Sequence, residues 1–148
     1  MHTEPGTGSS ADSLAGTLRW ADSPSWAQRA AAGRRLARRA DLDDIRPLLE
    51  RLLLDADDTG VTQETARALL ERHDLPGLRA VLAALSRAEA LCTADQLAGE
   101  VDGYRSCVSA AGRGDELRRR LTTLASDTDT DTDIRDEART LLGPGNHA

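Results

Sequence analysis

Aspartate and threonine alternate from Asp127 to Asp133, which makes this run the densest set of possible metal ligands in the sequence. Carboxylates at alternating positions suit a calcium loop, which needs acids at positions 1, 3 and 5, a glycine at 6 and a bidentate glutamate at 12. Counted from Asp127, the acids fit, but Thr132 stands where the glycine belongs and Ala138 where the glutamate belongs. A second run, Asp55, Asp57, Thr59 and Gly60, has the glycine, yet its twelfth position is Ala66. Both runs lack the closing ligand. Their Asp and Thr side chains are therefore expected to cap the helices that follow, supported by the helix dipole.

No other set of residues has catalytic spacing. His2, His73 and His147 are scattered, and no HxxxH or Cys/His pattern suggests zinc. Cys92 and Cys107 are not in a CxxC, so a reduced pair is expected instead of a disulfide. There is no GxGxxG or P-loop, and no nucleophile has a histidine placed to activate it. We expect no metal, no cofactor and no catalytic residue. Two arginine clusters remain, Arg34, Arg35, Arg38 and Arg39, and Arg118 to Arg120. Asp41, Asp43 and Asp44 follow the first cluster at once, which reads as a locally neutralised, solvated helix end. The competing reading is a site for an anionic partner.

Composition narrows the class. All 19 basic residues are Arg, which we read as codon usage in a GC-rich genome, and the net charge is −6. That balance argues against broad nucleic-acid affinity, which rests on a basic face. Only Trp20, Trp26 and Tyr104 are aromatic, so the core must be built from Leu, Ala and Val, as suits helix on helix. No segment reaches the ~20 apolar residues of a membrane span, and residues 1–13 lack the apolar centre of a secretory signal. A cytoplasmic location is expected, with disordered tails at 1–13 and 143–148 flanking one domain at 14–142.

The residues so far need a frame to position them, and a repeat supplies it. Trp26, Val61, Leu97 and Ile134 open four segments at steps of 35, 36 and 37 residues. The helices before them keep the same beat in three columns: Ile45, Val81 and Leu117; Leu49, Leu85 and Leu121; Leu52, Ala88 and Leu124. Columns in register at one period predict stacked helix pairs, an α-solenoid. Helices are expected over 14–20, 24–39, 43–54, 61–72, 78–90, 94–111, 115–124 and 134–142, and no strand. Thr93 and Gln96 read as a capping box, and Gly103 as a point where a neighbouring helix approaches closely. Trp20 and Trp26 are expected to close the end of the core. An exposed Trp20 would instead be a contact point for a partner.

Two segments resemble HEAT repeats. The stretch from Ile45 through Val61 to Leu70 carries Pro47 early in its first helix and Asp55 at the inter-helix position. The stretch from Leu117 to Leu142 carries Asp127 and then Ile134 and Arg135 in place of a Val-Arg pair. Thr62 departs from the pattern, where an Arg would follow Val61, and the segments around Trp26 and Leu97 match in period alone. The resemblance implies an all-α fold, a short right-handed solenoid of about four stacked antiparallel helix pairs, and a role in protein interaction.

In such stacks the second helices line the concave face. Their outward positions would be Gln28, Arg29 and Arg35, then Gln63, Glu64 and Arg67, then Glu100, then Asp136 and Arg139. Polar and charged in both signs, that face suits a protein or peptide partner recognised by charge pattern, and it lacks the aromatic platforms that single-stranded nucleic acid needs. The expected function is a non-catalytic binding module, an adaptor or inhibitor. The alternatives are an immunity-type protein that neutralises a toxin and a HEAT-like nucleic-acid-processing enzyme.

Overall fold

The computed structural model describes residues 13–143; of the tails expected at 1–13 and 143–148, all but Ser13 and Gly143 lie outside the described residues. Eight α-helices and no strand occur among the described residues. They are α1 (Leu14–Ala21), α2 (Trp26–Ala37), α3 (Arg46–Leu53), α4 (Thr59–Leu70), α5 (Leu75–Arg87), α6 (Leu91–Ala110), α7 (Gly114–Ser126) and α8 (Thr132–Leu142).

Short polar side chains set four of the eight starts. Ser13 caps α1 by accepting from the Gly16 amide, and Ser25 caps α2 by accepting from that of Gln28. Asp58 and Asp74 do the same for α4 and α5, through the amides of Gly60 and Gly77. A 3₁₀ turn, Asp43–Ile45, feeds α3, whose Pro47 sits in the first turn, where no amide is needed. Gly143, with a φ of 81°, ends α8.

One expected start is not realised. Thr93 and Gln96 form no capping box, because α6 begins earlier, at Leu91. Thr93 is buried, and Gln96 Nε2 donates to Glu100 Oε2 at 3.1 Å. The break between α5 and α6 falls at Ala88–Ala90, and the chain winds again at Leu91, two residues before it reaches the polar pair.

The apolar columns lie inside. Ile45, Val81, Leu117, Leu49, Leu121, Leu52, Leu124, Val61, Leu97 and Ile134 are all buried, with Leu85 and Ala88 packed against them. Trp26 is the exception, at 51% exposed. It leans on the start of α4, where a Cβ on Gly60 would lie 3.3 Å from its ring. No earlier second helix covers its other face among the described residues.

Helices α2, α4 and α6 lie side by side, and α3 and α5 pack together behind them against α4. The contact of α2 with α4 is closest at Gly33, where an added Cβ would stand 2.0 Å from Thr65 Oγ1. Two arginines tie the segments end to end. Arg29 bridges α2 to the linker before α4 through Asp55 (2.8 Å), and Arg72 Nη1 donates to the Ala37 and Arg39 carbonyls at the end of α2 (2.7 and 2.6 Å).

The last pair departs from the expected stacking. Helix α8 packs on α7 and α5 instead of beside α6. Burial of Ile134 and Ala138 holds it there, and Arg87, at the end of α5, adds surface pairs with Glu50 of α3 and with Asp131 before α8 (3.2 Å).

Candidate functional site

The side-by-side course of α4 and α6 leaves a groove between them. One part has a volume of about 550 Å³, with Leu70 of α4 and Tyr104 and Val108 of α6 as apolar lining. A second hollow, near Thr59 and Asp95, shares Gly99 and Glu100 with it, so the groove continues along α6.

Two glycines line this groove for no reason internal to the fold. Gly33, Gly60 and Gly77 each sit where a Cβ would meet a neighbour within 3.3 Å. At Gly99 and Gly103 a Cβ would meet nothing within 4 Å. Both are one turn apart on one face of a 20-residue helix, where each glycine costs about 1 kcal/mol relative to alanine. The neighbouring helix expected at Gly103 is not there; the space is open. Gly103→Ala is therefore expected to stabilise the protein by about 0.5–1 kcal/mol, read as a higher urea midpoint at unchanged slope. A loss of stability would show that the space is filled from within.

Charged residues rim the groove in pairs. Arg67 holds Glu100 through two hydrogen bonds of 3.3 Å, and that bond, with the charge of Glu100, raises the guanidinium above its ordinary pKa. Arg113 is bound to Glu116 at 2.7 Å. At the α4–α5 turn His73 adopts a φ of 56°, a left-handed conformation uncommon outside glycine. Its Nδ1 lies 2.9 Å from the Tyr104 hydroxyl, with the two rings stacked 5.5 Å apart. Burial pushes the Tyr104 hydroxyl pKa up, against the charges of Arg120 and Arg113, so it stays protonated at neutral pH.

The structure brings together part of the face anticipated from sequence. Gln28, Arg35, Gln63, Glu64, Arg67 and Glu100 stand on the three neighbouring helices α2, α4 and α6. Glu64 pairs with Arg34 at 3.1 Å, and Arg35 lies 4.5 Å above the ring of Trp20. Gln28 is exposed and accepts from the Ser23 hydroxyl. Arg29 is not part of this surface, because its guanidinium is buried on Asp55. Asp136 and Arg139 are not part of it either. They pair with each other at 3.3 Å on α8, and Arg139 also donates to the Ala125 carbonyl of α7.

Leu70 and Val108 belong to the buried core as well as to the groove wall, with Tyr104 packed against them, and the sequence reading overlooks Gly99. Its spacing of four residues from Gly103 was the available signal, since it puts both on one helix face. The two Asp-rich runs serve as turns. Asp55 accepts from the amides of Asp57 and Asp58, and Asp127 from the Asp129 amide and the Thr130 hydroxyl. Among the described residues no group of three or more His, Cys, Asp or Glu could hold a metal ion, and no helix is long and apolar enough to cross a membrane.

No family model, curated protein or solved structure matches this chain.

Proposed function

We propose that the chain is a non-catalytic protein-binding module, a HEAT-like helical stack that takes a protein or peptide segment along the α4–α6 groove. The observation that carries this reading is the pair Gly99 and Gly103. They weaken α6 and answer to no contact within the fold, so what needs the space must come from outside. The buried apolar columns at a period near 36 residues support the repeat assignment. Exposed, unbonded thiols at Cys92 and Cys107 fit a reducing, cytoplasmic setting.

Co-precipitation with a groove-filled variant tests it. Gly103→Leu places a side chain in open space, so the fold is retained while the groove closes. Proteins held by the wild type and by an Arg38→Glu control, but lost with Gly103→Leu, are the expected result. If the three baits retain the same proteins, the groove is not the binding surface.

A further inference from the structure

We infer that the segment received by the α4–α6 groove is a basic amphipathic helix. This rests on the groove being a binding surface and goes further by naming the partner's chemistry.

Charge gives the first argument. Both arginines of the groove are already engaged, Arg67 by Glu100 and Arg113 by Glu116. Its free carboxylates are not. Glu71, at the end of α4, and Asp95, in the first third of α6, are both exposed, and neither forms an ion pair among the described residues, Glu71 acting on Arg67 through its charge alone. The unmatched charge of the groove is therefore negative at two points along it, and the complementary ligand carries a cation at each. A segment of nucleic acid would bring the wrong sign.

Spacing gives the second. The Arg67–Glu100 pair and the His73–Tyr104 contact set α4 parallel to α6 and place Glu71 level with Tyr104, nine residues after Asp95 and about 14 Å along α6. Cations seven or eight residues apart, two turns of helix, share one face and reach that span.

Backbone chemistry gives the third. The groove walls are helices, whose main-chain donors and acceptors are already paired, so an extended peptide would find no edge to bond with. A helix satisfies its own backbone and offers side chains alone. Between its two cations, small or apolar residues would meet Leu70, Tyr104 and Val108 and sit close to the α6 backbone at Gly99 and Gly103.

The test is fluorescence anisotropy with a labelled synthetic helix of about 16 Ala and Leu residues, bearing two Lys about two turns apart on one face. Its twin has Glu at both Lys positions. The Lys probe is expected to bind the wild type and the Glu twin to bind at least about tenfold more weakly. Glu71→Gln with Asp95→Asn should weaken the Lys probe by a similar factor, as should raising the salt from about 0.05 to 0.5 M. Gly103→Leu should abolish binding, with circular dichroism showing the helices intact.

Equal affinity for the two probes would overturn the inference, as would Lys-probe binding that survives Gly103→Leu. So would a wild-type dimer that Gly103→Leu dissociates, since the occupant would then be a second copy. If neither probe binds while co-precipitation still distinguishes Gly103→Leu, the basic helix is wrong and the binding module stands. If both experiments show no dependence on Gly103, both readings fall.

Discussion

Gly33→Ala is expected to destabilise the protein by about 2–3 kcal/mol, read as a lower urea midpoint at unchanged slope. The new Cβ would lie 2.0 Å from Thr65 Oγ1, 3.3 Å from its Cγ2 and 3.0 Å from its Cβ. Rotating the threonine moves the first two atoms but not the third. Thr65 is 0% exposed, so the side chain has nowhere to swing and the helices must part. The gain of about 1 kcal/mol in helix propensity only partly offsets this. Adding Thr65→Ala should restore part of the loss, because it removes the two movable atoms and a buried hydroxyl with no hydrogen-bond partner. Gly33→Ala and Gly103→Ala are one chemical change with opposite expected signs. An unchanged midpoint for Gly33→Ala would mean that α2 and α4 have room to separate.

Arg29→Ala should cost about 3 kcal/mol, through loss of the bond between α2 and the linker that starts α4. The pair is well enclosed, with side chains 11% and 9% exposed, and Arg29 Nη1 also holds the Ser23 carbonyl at 2.9 Å. Truncation leaves the Asp55 carboxylate with the two backbone amides alone, which is why the low end of the range for a broken buried pair applies. The same contact shapes the acid limb. Burial works to raise the Asp55 pKa, but the hydrogen bond from Arg29, the amides of Asp58 and Asp57 and the Arg29 charge together bring it below the ordinary carboxylate value. The stabilisation is therefore complete above the unfolded pKa, about 4, and is lost as pH falls from there through the folded value. Urea titrations from neutral pH down to about pH 2 should show a shallower acid loss in Arg29→Ala than in the wild type. Parallel curves would separate Asp55 from the acid response.

Much of the fold can be read from apolar spacing, because burial acts on each helix in the same way. Ile45, Val81 and Leu117 are predicted to be inside and are inside, as are Val61, Leu97 and Ile134. The rule fails at Trp26 for want of a neighbour. The same position in the pattern lies at the end of the row of helices, and periodicity carries no information about ends. Local polar signals are less reliable than apolar ones. Asp58 and Asp74 cap the helices that follow them, yet Thr93, with an equally good motif, lies inside a helix that begins at Leu91.

The candidate site is harder to read for two reasons. Arg29, Arg35 and Arg67 look alike in sequence, but one is buried on Asp55, one stacks on Trp20 and one faces the groove. Only long-range contacts distinguish them. The glycines of α6 pose the reverse difficulty. A glycine in a helix signals close approach, and sequence cannot say whether the approaching group belongs to the same chain.

The seat of α8 sets a limit on lengthening this protein by duplication. A helix pair added after α8 would not continue the row of α2, α4 and α6, because α8 does not lie beside α6. Ile134 and Ala138, buried where α8 packs on α7 and α5, fix that outcome, and the exposed ion pairs of Arg87 add little to it. A further pair joins the row only where α8 first gives up that seat.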